Sequence, residues 1–302
     1  MEKNRKMLEE ASFGKLLLNL CLPTILIMLV MVVYNMADTF FIGQTGDPVK
    51  IAAISLCAPL FSILSGLGTL LGSGGCTAVS LALGKQENSR IKAYTSLCCY
   101  GSLVIGFLFL TFVLIFLTPI SLALGADSAT LSHTCGYLRI IALGAPVILF
   151  NNVFANIIRA DGAAKESMIA NGLGTLSNIA LDALFIFVFS WDVAGAALAT
   201  VLGNAISCCY LLFYILKKQP AFSLHLRYFS LKKEILLPVL SLGLPLACST
   251  LLMSISSMIS NRMMIGYGAA ALAAQGVAGE KGMPPSPPPL GILMGKQPAV
   301  SL

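Results

Sequence analysis

AYTSLCCYGSLVIGFLFLTFVLIFLT, residues 93–118, runs for 26 residues without a charged side chain. A helix rises about 1.5 Å per residue, so roughly 20 apolar residues cross the ~30 Å hydrocarbon core of a bilayer. A lipid-facing strand would alternate apolar and polar residues instead. The bilayer core holds no water to satisfy backbone N–H and C=O groups, so a continuous run of this kind predicts a transmembrane helix.

Six further runs share its character: Leu16–Ile42, Ile51–Leu83, Cys135–Ile158, Met168–Phe189, Val193–Leu216 and Ile235–Ile265. Of the 302 residues, 57% are hydrophobic and 11% charged, and the mean hydropathy is +0.88. That is far more apolar surface than one soluble core hides, which excludes soluble enzymes, nucleic-acid binders and disordered chains. The expected class is an all-α polytopic membrane protein, not an enzyme. Neither a phosphate-loop pattern nor the His-Glu-x-x-His or Gly-x-Ser-x-Gly motifs occur in the sequence. The first run follows a basic stretch but is too long for a signal peptide and reads as a retained helix. Cys98–Cys99 and Cys208–Cys209 are adjacent pairs, while Cys21, Cys57, Cys76 and Cys248 lie inside apolar runs. They read as reduced packing residues rather than a disulfide framework. No cofactor and no nucleic-acid partner is expected.

Basic residues give the orientation. Lys3, Arg5, Lys6 and Lys15, then Lys85, Arg90 and Lys92, then Arg159 and Lys165, then Lys217, Lys218, Arg227, Lys232 and Lys233 all fall on one side. Lys50 stands on the other. The positive-inside rule therefore predicts a cytoplasmic N-terminus in the cell membrane. Leu20-Cys-Leu-Pro23 is echoed by Leu242-Gly-Leu-Pro245, Phe41-Ile-Gly43 by Met264-Ile-Gly266, and Ile51-Ala-Ala53 by Leu272-Ala-Ala274, at offsets of 222, 223 and 221 residues. Parallel halves related by an axis along the membrane normal are a transporter architecture. The expected organisation is a six-helix lobe over residues 1–216, a cytoplasmic linker over 217–234 about which the lobes rock, and the start of a second lobe over 235–280. Residues 281–302, with five prolines between Pro284 and Pro289, read as an aberrant tail. With a second half equal to the first, the whole protein would need roughly 440 residues by the repeat arithmetic. The text thus reads as a truncated or frame-shifted form of a longer chain, with its seventh helix weakly held.

Two of the thirteen acidic residues, Asp38 and Asp182, lie within predicted spans. An ionisable group there costs at least about 2.5–3.5 kcal/mol and is functional by default. Tyr34 and Asn35 share a helix face with Asp38. Asn171, Thr175, Asn178 and Asp182 form one stripe at i, i+4, i+7 and i+11, and Asn152, Asn156 and Arg159 another at i, i+4 and i+7. Thr200 completes the set. Asparagines and threonines also glue helices together by hydrogen bonds, which is their ordinary structural role. A carboxyl group in a low-dielectric pocket holds its proton more tightly than in water, and a second carboxylate nearby strengthens this. Such a cluster suits proton exchange; its oxygens equally suit Na⁺ at Asp38, Asp182 and Asn178. Pro23 is a candidate bend in the first helix, as are Pro59, Pro146 and Pro245 in theirs.

Asn35-Met-Ala-Asp38-Thr-Phe-Phe-Ile-Gly43 resembles the first-helix signature of the multidrug and toxic compound extrusion (MATE) family. Gly66-Leu-Gly-Thr69 through Leu83-Gly84 resembles its second helix, and Arg159-Ala-Asp-Gly162 its loop after helix four. Asn178-Ile-Ala-Leu-Asp182 is similar to the fifth-helix pattern of the prokaryotic DinF-like branch. The resemblance implies a cation-coupled (H⁺ or Na⁺) antiporter that exports bulky, often cationic organic compounds. It also implies a cation site in the N-terminal lobe lined by Asp38, Asn178, Asp182 and Thr200, with Asn156 beside it; the polar stripes add Tyr34, Asn35, Asn152 and Asn171 in support. The alternatives are a flippase for lipid-linked saccharides of the same superfamily and a non-transporting membrane fragment.

Overall fold

The computed structural model describes residues 48–218 and 222–265. Seven α-helices follow one another: α1 Pro48–Gly84, α2 Asn88–Ile115, α3 Leu117–Ala123, α4 Leu131–Ala160, α5 Ala164–Ala183, α6 Asp192–Lys218 and α7 Lys233–Ile265. All but the short α3 belong to spans long and apolar enough to cross a membrane. They coincide with the second to seventh predicted runs. The first predicted run, with Pro23, Tyr34, Asn35 and Asp38, lies outside the described residues, as does everything beyond Ile265.

Pro59, Pro146 and Pro245 all sit inside unbroken helices. The apolar run over residues 93–118 is interrupted at Phe116. A helix continuing through it would drive the Pro119 ring into the carbonyl of Ile115, four residues back. The chain leaves helical geometry at Phe116 (φ −105°, ψ 27°) and restarts as α3 with the proline in its first turn. The Arg159-Ala-Asp-Gly162 motif closes α4. Gly162 takes φ 74° and its N–H bonds the Arg159 carbonyl at 3.0 Å, a turn that a residue with a Cβ enters only under strain.

α4 is the most buried span. It packs against α1, α2 and α6, with α5 laid along α6. One apolar cluster, built around Val79, Ile91, Phe154, Ile158 and Leu211, fills the end that carries Lys85, Arg90 and Lys92; a second, around Leu64, Val113, Leu138 and Leu149, fills the opposite end. Cys57, Cys76, Cys98 and Cys99 are buried, as their neighbours suggest, but Cys209 and Cys248 lie on the bundle's outer surface. An apolar helix facing lipid hides nothing, so position within an apolar run does not establish burial in the core.

α7 is firmly seated, contrary to expectation. A Cβ on Gly74 would stand 2.0 Å from the Val239 carbonyl oxygen, and one on Gly243 1.9 Å from that of Leu70, so α1 and α7 meet backbone to backbone. The connection between α6 and α7 is also tied down. Ser96 Oγ donates to the carbonyls of Ser223 (2.8 Å) and His225 (3.1 Å), Tyr100 Oη to that of Leu224 (2.9 Å), and the Ser223 N–H to Thr95 Oγ1 (3.1 Å). The connection is therefore a strap bonded along α2 rather than a free hinge over its whole length.

Candidate functional site

α5 and α6 run antiparallel and touch through glycines. A Cβ on Gly203 would lie 2.7 Å from the Gly174 carbonyl oxygen, and one on Gly174 2.9 Å from that of Gly203. No other residue type permits that approach without moving a helix. Asn178 sits at this contact, its Cβ 2.9 Å from where a Gly203 Cβ would stand. Asn178 is 3% exposed, and neither its amide oxygen nor its amide nitrogen has a hydrogen-bond partner among the described residues.

Asp182 follows one turn later on the same face and is 0% exposed. Gly203 lies beside Asn178 and Gly195 beside Phe185, so the antiparallel register sets Asp182 level with the turn Ala196–Thr200 of α6. Thr200, 4% exposed, donates to the Ala196 carbonyl at 3.0 Å. Asn178, Asp182 and Thr200 are thus brought to one interface. Immediately beyond Asp182 the helix widens into a π-turn, Leu184–Val188, capped by Trp191 stacked on Phe185 and Phe189. Inserted π-turns recur where a helix re-aims side chains at a functional site. Past it, Ser190 and Asp192 adopt φ of 54° and 46°, and Lys50 Nζ reaches Asp192 Oδ2 at 2.7 Å, fastening α1 to α6.

The other expected members lie elsewhere. Asn152 and Asn156 face α1, resting on its bare backbone at Gly68 and Gly72. Asn156 donates to the Asn152 carbonyl at 2.7 Å and accepts from Arg159. Asn171 is half-buried and donates to the Ser167 carbonyl at 2.8 Å. α4 instead meets α6 through Asn151, one residue before Asn152. Its Nδ2 donates to Asn204 Oδ1 (2.9 Å) and its Oδ1 accepts from Ser207 (2.7 Å). Asn204 donates in turn to the Thr200 carbonyl at 2.8 Å. Asn151, Asn204 and Ser207 were missed from the sequence, although Thr200, Asn204 and Ser207 stand at i, i+4 and i+7 and form a stripe as regular as that of α5. The arrangement is a carboxylate, an amide, a hydroxyl and a polar ladder in an otherwise apolar bundle. Oxygen ligands of this kind suit a proton or a hard monovalent cation.

A family model described as MatE matches residues 23–184, which include the whole of α1 to α5. The chain belongs to the MatE family. Its relatives include the multidrug export protein MepA of Staphylococcus saprophyticus, 33% identical over 270 residues. That alignment covers 89% of this chain and 60% of the relative, so the chain spans well under two thirds of that protein's length. Among solved structures, a MOP superfamily transporter from Pyrococcus furiosus, described as having a binding pocket of reversed polarity, is 29% identical at a TM-score of 0.86. The match covers 96% of this chain and 64% of that one. A multidrug resistance MATE family transporter in its outward-facing conformation has the same TM-score and identity, covering 97% and 65%. MatE membership and the six described spans identify the chain as a multi-pass membrane protein.

Proposed function

We propose that this chain supplies the ion-coupling half of an antiporter that exports organic compounds across the cytoplasmic membrane in exchange for H⁺ or Na⁺. The carrying observation is the fully buried Asp182 one turn from Asn178, whose amide has no hydrogen-bond partner among the described residues. A buried amide without a partner costs about 1–3 kcal/mol, which selection retains where the amide has a transient ligand. Asp182 exchanges the ion, Asn178 and Thr200 offer it oxygen atoms, and the sequence pattern assigns Asp38 to the same exchange. The end bearing Lys85, Arg90, Lys92 and the strap faces the cytoplasm, in keeping with the positive-inside rule. The organic substrate class is supported by the name of the staphylococcal relative.

The test is dye efflux from right-side-out vesicles of a pump-deficient bacterium. The vesicles carry either this chain or the chain continued with the remaining length of the staphylococcal relative. Asp182→Asn keeps the size of the side chain but removes its charge change, so ion-driven efflux should fall to background while the amount of inserted protein stays the same. A protonophore and a Na⁺ ionophore, added separately, identify the coupling ion. Efflux undiminished in Asp182→Asn would refute the assignment.

A further inference from the structure

The strap between α6 and α7 has two faces of opposite character. Its inner side is fixed: Phe222 and Ser223 are buried, and Thr95, Ser96 and Tyr100 hold its backbone. Phe229 packs edge-on to the Tyr100 ring at 5.7 Å. Its outer side interleaves apolar and cationic residues. Leu226 is 65% exposed and Leu231 64%, while Arg227, Lys232 and Lys233 stand exposed among them. Lys92 adds its ammonium 5.3 Å over the Tyr228 ring. His225, Leu226, Arg227 and Tyr228 line a groove of about 340 Å³. Of the nearby acids, Glu87 is paired with Arg90 at 3.2 Å, which leaves Glu234 in the first turn of α7.

We infer that this strap is a binding site for anionic phospholipid of the surrounding bilayer, with the phosphate on Arg227, Lys232 and Lys233 and the upper acyl chain on Leu226 and Leu231. It joins the ends of two membrane spans and therefore lies at the boundary between lipid and water. Orientation by the positive-inside rule accounts for cations there, but not for leucines exposed between them on a backbone held in place. A soluble acidic partner would engage the cations and leave the leucines in water. An anionic lipid satisfies both, by attraction of basic groups to its headgroup and burial of leucine against its chain.

Trp191 is the only tryptophan, so Trp191→Phe with Leu226→Trp places a single fluorophore on the strap. In vesicles, brominated phosphatidylglycerol should quench it more than brominated phosphatidylcholine at equal mole fraction, and added salt should shrink the difference. Changing Arg227, Lys232 and Lys233 to Gln should lower the relative affinity for phosphatidylglycerol about fivefold per cation removed. Arg227→Lys, and Arg139→Gln on α4, should leave the preference in place. Equal quenching by the two lipids, or a preference that survives loss of all three cations, would overturn the inference.

Discussion

Asn178 buries a polar amide where an apolar side chain would cost less, and this separates a structural from a functional reading. If the residue served stability, Asn178→Leu would weaken the α5–α6 contact. With its amide bonded to nothing described, the near-isosteric leucine should instead raise the unfolding free energy by about 1–3 kcal/mol while ion-driven efflux is lost. Thermal unfolding in detergent, followed by tryptophan fluorescence, reads the first effect. A lower melting temperature would show that the amide has a structural partner. Asn178 and Asp182 were legible in the sequence because a polar residue every turn of an apolar helix marks one face. What the spacing did not supply was the facing neighbour. Successive helical residues point about 100° apart, so Asn151 reaches α6 while Asn152 turns to Gly68 of α1. The expected single constellation divides into an α5–α6 group and an α1–α4 group for that reason.

The helices themselves were legible to within a few residues, because a bilayer demands long apolar runs. The strap was not. Its basic composition marked a cytoplasmic linker but not its course, which is set by hydroxyls at Thr95, Ser96 and Tyr100, residues that look unremarkable in an uncharged run. Small hydroxyl side chains bonding foreign carbonyls leave no periodic signal. Thr95→Val with Ser96→Ala removes the donors to Ser223 and His225 and leaves those carbonyls to find water. The strap should then detach, and trypsin should cut at Arg227 and Lys232 several-fold faster than in the parent protein. Equal cleavage rates would mean that Tyr100 and the burial of Phe222 suffice to hold it. The same bonds bury Ser223, so a cysteine there resists labelling whichever side of the membrane it faces. Ser89 and Ser128 are exposed at opposite ends and serve as topology reporters.

At the scale of the molecule, α7 is the piece that a sequence reading treated as an outlier and the fold treats as a partner. Its seam with α1 runs from Gly74–Val239 through Gly243–Leu70 to Gly66–Leu251, nearest the strap at its first contact. Backbone contact of this kind is close and dispersion-driven. Such a seam suits a gate that must reopen. A Cβ on Gly66 would stand 3.6 Å from Thr250 Cγ2, so side chains at the two positions meet. In a background with the exposed Cys209 and Cys248 changed to serine, Gly66→Cys with Thr250→Cys should therefore cross-link on mild oxidation. Trypsin cleavage in the strap then divides the chain between α1 and α7, and the two fragments should stay together on a non-reducing gel. If the seam opens during transport, the cross-link should abolish efflux and a reductant should restore it. Fragments that separate would contradict the seating of α7, and efflux unaffected by the cross-link would make the seam a fixed joint.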